Sequence, residues 1–337
     1  MTDTPESLVV KSPKRRRWLR LLLIAAVAFV PLHLLIDAIY AGYVGRAASA
    51  WEKTITRDSN GVIEGSETYD VAPSGEVDTD TAILLVHGLG ASPRHYEFIA
   101  KDLAERGYHC RAVRLPGFAE PVAKYCEYTS KAWLEKVQSE LASLRKDHGR
   151  VGVVGHSLGG AVTVGVLLAD PQAADFAVLL TPAVEVSDTR SPIFSARTWH
   201  EISERSLMFV RVLPSVYPLD CRDPARAEFP GRTPFTPKCV VDQLFKLMDA
   251  NRGRAEEINV PTTVVVAIDD PIVDSPAAES FYEKLGSTEK NLVRLDRSGH
   301  EVTLDWQWKE VADAIAQRAA GEPATQVVGG NEEKAQP

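Results

Sequence analysis

A serine with a glycine two positions away on each side lies between an apolar run and a stretch of small residues. Residues 155–159 read Gly-His-Ser-Leu-Gly, residues 151–154 are Val-Gly-Val-Val, and residues 161–165 are Ala-Val-Thr-Val-Gly. On a sharp turn from a strand into a helix a serine has strained backbone angles, so these neighbours must be small. The pattern predicts that Ser157 is a nucleophile and that the Leu158 N–H faces a developing oxyanion. Simple close packing of a buried serine is the alternative, which the flanking residues disfavour.

Acidic and basic groups that could activate such a serine follow later in the chain. The apolar run 262–268 predicts a buried strand that ends at Asp269 and Asp270, with Asp274 shortly after it, and His300 follows further on. In this arrangement the histidine accepts the proton of the nucleophile and returns it to the leaving group. An aspartate holds the correct imidazole tautomer and stabilises its charged form. The residues alone leave the choice among the three aspartates open.

The other histidines have weaker patterns. His87 and His156 lie inside glycine motifs and are predicted to support loops, not to act as the base. His300 and Asp305 also fit the H-x-x-x-x-D pattern of glycerolipid acyltransferases, which the upstream serine motif makes a coincidence. The remaining histidines are predicted to be ordinary surface or packing residues: His33, His95, His109, His148 and His200.

From about residue 81 to residue 321 the chain resembles an α/β-hydrolase of the monoglyceride-lipase and carboxylesterase branch, close to the serine aminopeptidase-like hydrolases. The matching segments are 87–93 (His-Gly-Leu-Gly-Ala-Ser-Pro), 103–108, 114–117, 155–159, 270–274 and 298–300. The order of serine, acid and histidine is also that of this superfamily. One departure is visible, because residues 115–119 read Leu-Pro-Gly-Phe-Ala where the family commonly has Leu-Pro-Gly-His-Gly. A differently shaped loop near the acyl site is therefore expected.

The resemblance assigns roles to further residues. The acid of this branch usually precedes a short apolar pair by two positions, which favours Asp270 over its neighbours. The loop after the first buried strand supplies the second oxyanion amide, which would be that of Leu89. Gly88 and His156 are predicted to contact the substrate. The catalytic set implied by the resemblance is thus Ser157, Asp270 and His300.

The elements around these residues predict an α/β fold of the α/β-hydrolase type. Strand and helix patterns alternate through residues 81–184 and 258–321, which indicates a mostly parallel sheet covered by helices on both faces. Residues 185–257 interrupt this alternation with prolines, apolar side chains and no clear strand pattern. We expect that insertion to form a cap over the active site.

The front of the chain predicts a membrane anchor. Residues 1–20 are basic, and residues 21–44 are apolar, with Asp37 as their charged residue. Such a length can cross a hydrocarbon core of roughly 30 Å, and the basic head predicts a cytoplasmic N-terminus. Residues 45–80 lead into the catalytic domain, which would lie outside a bacterial inner membrane, in the periplasm. A cleavable signal peptide ending at Ala50 is the alternative, and both place the domain outside.

Export makes disulfides possible among the four cysteines. Pairing of nearest neighbours predicts one bridge between Cys110 and Cys126 and a second between Cys221 and Cys239. Four cysteines allow three connectivities, so this pairing is one choice of three.

Composition limits the remaining possibilities. A formal net charge of −8 argues against a nucleic-acid partner. The sequence shows no metal-ligand spacing and no glycine-rich nucleotide loop, so no cofactor is expected. Residues 322–337 are polar and are predicted to be disordered.

The expected function is that of an exported serine hydrolase of carboxylic esters, with an acyl ester or lipid-like substrate. An acyltransferase, a thioesterase or amidase, and a non-catalytic binding protein are the alternatives.

Overall fold

The computed structural model describes residues 13–74, 79–215 and 218–322. The first part of the predicted basic head and all of the predicted tail beyond residue 322 lie outside the described residues. The helices are α1 (Pro13–Glu52), α2 (Glu97–Glu105), α3 (Ser130–Leu144), α4 (Leu158–Ala169), α5 (Ala196–Ser206), α6 (Lys238–Asn251), α7 (Ser275–Lys284) and α8 (Trp308–Ala320). The strands are β1 (Tyr69–Val71), β2 (Thr81–Val86), β3 (His109–Val113), β4 (Arg150–His156), β5 (Phe176–Leu180), β6 (Val212–Pro214), β7 (Phe235–Pro237), β8 (Thr262–Ala267) and β9 (Lys290–Leu295).

Seven of these strands form one sheet in the order β1-β3-β2-β4-β5-β8-β9. Neighbouring strands pair in parallel, except that β1 lies antiparallel to β3 at the edge. Parallel neighbours need crossover connections, and here these are mostly helices. The predicted α/β-hydrolase fold with a mostly parallel sheet is confirmed.

Alternating side chains of the central strands supply two separate cores. In β2, Ala82, Leu84 and Val86 pack into one cluster with side chains of α3, α4, α6 and α7. The intervening Ile83 and Leu85 pack into a second cluster with α2 and α8. Because successive side chains of a strand point to opposite faces, a strand buried on both sides must be apolar throughout. This explains the unbroken apolar runs of the sequence.

The topology brings the chemically important residues to one edge of the sheet. The strands β4, β8 and β9 are parallel, so their carboxyl ends lie at the same edge. Ser157 follows β4 directly, Asp270 follows β8, and His300 follows β9. Ligands of open α/β sheets bind outside this edge.

The segment predicted as a cap lies between β5 and β8. It contains α5, α6 and an antiparallel pair of short strands, in which Val212 of β6 lies opposite Pro237 of β7. The sequence did not reveal these strands, because three residues are too few to show an alternating pattern. Helix α6 contributes Leu244, Leu247 and Met248 to the core cluster that α4 also joins. The cap is thereby fixed to the sheet on the side of α4.

Helix α1 continues from the apolar N-terminal stretch to the α/β domain. Within the described residues, the region Val27–Glu52 is long and apolar enough to cross a membrane, and it overlaps the predicted anchor 21–44. The last turns of α1 pack against the domain, since Val44 and Ala48 lie in one cluster with Val122 and Phe235. Helix α1 is therefore joined to the domain by packing as well as by the chain.

The structure pairs Cys126 with Cys239, whose Cα atoms are 5.6 Å apart, and leaves Cys110 and Cys221 as free thiols. Both predicted nearest-neighbour pairs are therefore wrong. Cys110 lies on β3 and is buried in the core beneath α2, where no other cysteine of the described residues reaches it. Cys126 lies instead in a short 3₁₀ helix, Val122–Glu127, which contacts α6. Cys239 is the second residue of α6. Sequence neighbours need not be neighbours in space.

This disulfide is expected to stabilise the fold strongly, because it closes a segment with a sequence separation of 113 residues. In the chain-entropy treatment a loop of that size corresponds to about 4–5 kcal/mol of unfolding free energy. Denaturant unfolding with and without reductant measures the loss. Without reductant, the Cys126→Ser/Cys239→Ser variant should already have the lower unfolding free energy of the reduced parent protein, and reductant should not change it. Cys221→Ser should behave as the parent protein does. Mass spectrometry after alkylation in denaturant, which exposes the buried Cys110, should find two free thiols before reduction and four after it; four before reduction would contradict the bridge.

Candidate active site

The backbone at Ser157 is strained in the way the sequence predicts. Ser157 has φ of +53° and ψ of −115° between the end of β4 and the start of α4. A Cβ at Gly155 would lie 2.4 Å from the Gly159 carbonyl oxygen, and a Cβ at Gly159 would lie 2.2 Å from the Val86 carbonyl oxygen. Neither position can accept a larger residue without a backbone shift. Such strain in a non-glycine residue persists only where the surrounding structure enforces it.

Ser157, His300 and Asp270 form a continuous hydrogen-bonded chain. The His300 Nε2 atom lies 2.9 Å from Ser157 Oγ, and His300 Nδ1 lies 2.7 Å from Asp270 Oδ2. The other oxygen of Asp270 accepts from the backbone N–H groups of Ile272 (2.8 Å) and Val273 (3.0 Å). With Nδ1–H donating to Asp270, the unprotonated Nε2 can accept the serine O–H. The arrangement has the geometry of a general base next to a nucleophile.

The other two candidate acids lie elsewhere. Asp274 caps helix α7 by accepting from the Ala277 N–H at 2.7 Å. The Asp269 side chain is 78% exposed and has Arg222 as an ion-pair partner at 3.9 Å. Of the three aspartates, the structure brings Asp270 alone to the His300 ring.

Asp305 holds the loop that carries His300 and does not contact its ring. Its carboxylate accepts from the N–H groups of Gly299 (2.7 Å), Arg222 (2.8 Å) and Asp223 (2.9 Å). The aspartate of the H-x-x-x-x-D pattern therefore has a structural role here: it joins the loop that carries His300 to the cap.

Electrostatics in the chain of three residues favour the charged forms that catalysis would use. Burial by itself lowers the pKa of His300, but the charge of Asp270 and its hydrogen bond, with smaller effects of Glu301 and Asp220, raise that pKa above its ordinary value of 6.5. Burial likewise raises the pKa of Asp270, and the charge and hydrogen bond of His300 outweigh it, so the pKa of Asp270 is lowered. An imidazolium that forms at His300 is therefore stabilised by Asp270.

The two residues predicted to donate to an oxyanion, Leu89 and Leu158, lie in segments next to Ser157. Leu158 is the first residue of α4, and N–H groups of a first helical turn have no acceptor within the helix. Leu89 lines the same cavity as Ser157 and lies in the loop after β2. Gly90 in that loop has φ of +70°, a conformation that favours glycine. The loop can therefore turn sharply beside Ser157.

His87 shapes this loop as a neutral imidazole. Its Nδ1 atom lies 2.9 Å from the Gly88 carbonyl oxygen, to which it must donate, and its Nε2 atom accepts from the Leu115 N–H at 3.1 Å. Burial lowers the pKa of His87 to about 3, so the ring stays neutral and can do both. Its role is structural, as the sequence predicted.

Gly88 and His156 lie next to Ser157 but are not among the residues that line the cavity. A Cβ at Gly88 would lie 3.0 Å from His156 Nδ1 and 3.1 Å from Ser157 Cβ, so the loop passes closely over the serine. The buried His156 ring donates from Nε2 to the His300 carbonyl oxygen at 2.9 Å. Burial lowers the pKa of His156 to about 4. The hydrogen bond from His156 therefore holds the loop that carries His300, and the His156 ring does not face the cavity.

A cavity of about 570 Å³ opens above Ser157 and His300. Its walls come from the loops that follow β2, β5, β8 and β9 and from the cap, and they are mainly apolar. The apolar lining includes Leu89, Val186, Trp199, Leu213, Leu219, Leu244, Phe245 and Ile272. Pockets of this size and character bind small organic ligands. The cavity has room for an apolar chain that ends beside Ser157 and His300.

Sequence reasoning missed two polar contacts beside His300. His95, which was expected to be an ordinary residue, is buried with Nδ1 at 3.1 Å from Glu301 Oε2, and both residues line the cavity. Burial opposes ionisation of Glu301, but the neighbouring imidazoles of His156 and His95 lower its pKa far below the usual range. Asp220 of the cap accepts from the His300 N–H at 2.8 Å. Both contacts join residues distant in the sequence, which no local motif could indicate.

Comparison with known proteins agrees with this geometry. The family profile described as serine aminopeptidase, S33, matches residues 78–307. The chain is 26% identical to a thermostable monoacylglycerol lipase of Bacillus sp. (strain H-257) over 73% of this chain and 90% of that protein. It is 23% identical to a carboxylesterase of Bacillus subtilis (strain 168), over 67% of this chain and 87% of that protein. The crystal structure of a soluble variant of monoglyceride lipase from Saccharomyces cerevisiae superposes with a TM-score of 0.67 at 14% identity, over 77% of this chain and 92% of that one, and this likeness shows the fold alone.

Proposed function

Because this chain belongs to the serine aminopeptidase (S33) family of α/β-hydrolases, we propose that it is a serine hydrolase of carboxylic esters with Ser157, His300 and Asp270 as its catalytic residues. The observation that carries the proposal is the hydrogen-bonded chain from Ser157 Oγ through His300 to Asp270, which opens into a largely apolar cavity. Lipase and esterase relatives support the same reaction class.

The first half of the reaction forms an acyl-enzyme. Ser157 Oγ attacks the ester carbonyl carbon while its proton passes to His300 Nε2, and the carbonyl oxygen becomes an oxyanion. The N–H groups of Leu89 and Leu158 donate to that oxyanion. The ester C–O bond then breaks, His300 gives the proton to the leaving alcohol, and the acyl group remains on the serine.

The second half of the reaction uses water in place of the serine. His300 Nε2 takes a proton from the water while the oxygen attacks the acyl carbon. Collapse of the second oxyanion breaks the bond to Ser157, which regains its proton from His300, and the carboxylic acid leaves. Asp270 stays ionised throughout and stabilises the imidazolium that forms in each half.

We further propose a lipid-like acyl ester as substrate and a membrane-anchored, extracytoplasmic location. The apolar cavity and the monoacylglycerol lipase relative support the substrate. The apolar helix, the basic residues before it and the disulfide are compatible with a domain outside the cytoplasm. The N-terminal head would then lie in the cytoplasm.

Labelling with a fluorophosphonate probe tests the serine mechanism, and product analysis tests the reaction. Monoacylglycerols should yield glycerol and the free fatty acid, with turnover that rises from acetyl to longer acyl esters. Absence of labelling would overturn the proposal. Accumulation of a new ester with an added alcohol, without free acid, would assign acyl transfer instead.

The pH dependence should report His300. Because His300 must be neutral to accept the serine proton, kcat/KM is expected to fall as the pH drops through its pKa, with a midpoint above the ordinary value of 6.5. Glu301 contributes to raising that pKa, so Glu301→Gln should move the midpoint to lower pH. The exposed Asp269→Asn is the matched control and should leave the midpoint in place. A midpoint that stays fixed in Glu301→Gln would contradict this electrostatic coupling.

A further inference from the structure

The cap is hydrogen-bonded to the anchor helix at a buried carboxylate. Asp37 of α1 is 2% exposed, and its Oδ2 atom accepts from the backbone N–H groups of Met208 (2.7 Å) and Phe209 (2.9 Å). Its Oδ1 atom accepts from the Val210 N–H at 3.3 Å. One turn earlier on α1, His33 Nε2 donates to the Ser206 carbonyl oxygen at 2.8 Å. Residues 206–210, here called the cap tip, therefore lie alongside the turn of α1 from residue 33 to residue 37.

This contact explains how an aspartate can occupy an apolar span. Residues 21–36 carry no Asp, Glu, Lys or Arg, and Asp37 falls inside the region Val27–Glu52 that is apolar enough to cross a membrane. An unpaired carboxylate in such a helix costs a few kcal/mol. Three backbone N–H groups of the cap tip satisfy it instead. Asp37 and the cap tip therefore share one depth relative to the bilayer.

Exposed tyrosines indicate what that depth is. Tyr40 and Tyr43 stand exposed on α1, and tyrosines of membrane helices concentrate at the level of the lipid head groups. At 1.5 Å per residue, Asp37 lies about 5 Å and His33 about 10 Å deeper than Tyr40 along the helix. The cap tip beside them lies in the depth range that interfacial apolar segments occupy.

The side chains of the cap tip suit that environment. Met208 is 67% exposed and Phe209 is 49% exposed, so the described part of the chain leaves much of both side chains uncovered. Neighbouring side chains of α1, including Leu35 and Ile36, are also exposed and apolar. Glu201 and Arg205 on α5 form an exposed ion pair, and charged side chains favour head groups and water over hydrocarbon. The cap tip, in contrast, carries no charged side chain.

We propose that the cap tip is seated in the outer leaflet of the bilayer, held there by Asp37, and that the acyl chain of the substrate passes from the bilayer into the cavity beside it. The two elements that flank the tip both line the cavity, α5 through Trp199 and Ser203 and β6 through Leu213. The partner of this surface is the hydrocarbon of the lipid bilayer. The inference rests on the membrane anchoring under the proposed function.

A spin label at position 209 measures the depth directly. The full chain carrying Cys110→Ala, Cys221→Ala and Phe209→Cys keeps the disulfide and is reconstituted in phosphatidylcholine and phosphatidylglycerol vesicles. The label at 209 should collide more with oxygen than with a water-soluble nickel chelate. The matched control is Lys131→Cys on α3, whose parent side chain is 81% exposed and whose label should show the reverse preference.

The possible outcomes distinguish failure of the membrane anchoring from failure of the insertion of the cap tip. If the protein does not float with the vesicles, it is not membrane-anchored, and both the anchoring and the inference are overturned. Protein that floats while the label at 209 is as accessible to nickel as that at 131 overturns the inference alone. In Asp37→Leu, which keeps the helix apolar but removes the acceptor, the label should become more accessible to nickel; an unchanged label would remove Asp37 from the proposal.

Turnover gives a second, independent reading. The variant Met208→Asp/Phe209→Asp should lose at least about tenfold in hydrolysis of long-chain monoacylglycerol embedded in vesicles, because charged residues resist insertion. Hydrolysis of soluble p-nitrophenyl acetate should change less than about twofold, since neither residue lines the cavity. Trp306→Asp, at an exposed apolar residue outside the cap, is the matched control and should leave the ratio of the two rates unchanged. An unchanged ratio in the double variant would refute entry from the bilayer. If the parent protein itself did not hydrolyse p-nitrophenyl acetate, the hydrolase function would be refuted instead.

Discussion

Ser157→Ala is expected to lower ester turnover by on the order of 10⁴ to 10⁶-fold and to abolish labelling by a fluorophosphonate. No other hydroxyl of the described residues lies within hydrogen-bond distance of His300 Nε2, so none can replace the lost nucleophile. The fold should survive, because the serine oxygen faces the cavity and its removal leaves no packed volume empty. The measurement is hydrolysis of p-nitrophenyl esters, with circular dichroism and thermal unfolding as checks of the fold.

Ser203→Ala provides the matched control for this substitution. Ser203 lines the same cavity, but its hydroxyl donates to the His200 carbonyl oxygen at 2.8 Å and belongs to the cap. Its removal should change turnover only a few-fold. If Ser157→Ala kept more than a few per cent of the parent activity, the assignment of the nucleophile would be wrong.

Asp270→Asn is expected to lower turnover by about 10⁴-fold with little change in the fold. An asparagine can keep one oxygen on the Ile272 and Val273 N–H groups, which leaves its NH₂ group facing His300. That NH₂ group donates and cannot accept from Nδ1–H, so the imidazole turns to the tautomer that has its proton on Nε2. Such an imidazole cannot take the serine proton. Loss of the carboxylate charge also removes the main influence that raises the pKa of His300.

Two further aspartates serve as controls. Asp269→Asn removes an exposed carboxylate and should leave turnover nearly unchanged. Asp274→Asn replaces the N-cap residue of α7 with another residue that can accept from the Ala277 N–H. It should lower the free energy of unfolding by no more than about 1–2 kcal/mol and have a small effect on turnover. A larger loss of activity in Asp274→Asn than in Asp270→Asn would overturn the assignment of the acid.

Much of the fold could be predicted because it depends on local patterns. The strands of the central sheet are buried on both faces, so they are unbroken apolar runs that stand out from the alternating helices. Gly155 and Gly159 mark the turn at Ser157, because a Cβ at either position would strike backbone oxygens. The order of Ser157, an aspartate and His300 then followed from the sequence itself.

The sequence determined which residue types could react, and the tertiary structure decided which of them meet. Asp269, Asp270 and Asp274 are close neighbours in the chain, and the turn after β8 brings one of them to His300 while another caps a helix. The disulfide joins Cys126 to Cys239 across a separation of 113 residues, which no spacing rule could select from the three possible connectivities.

The same reason applies to the contacts that the sequence did not indicate at all. Asp37 looks like a defect in an apolar helix when the sequence is read alone, and it becomes an acceptor for three cap amides once the cap folds back against α1. His95 has no pattern around it, yet it pairs with Glu301 across a separation of 206 residues, next to His300 in the sequence and in the cavity. Local propensity and hydrophobic period report on neighbours along the chain, whereas a buried polar group is satisfied by whichever partner the fold brings within about 3 Å.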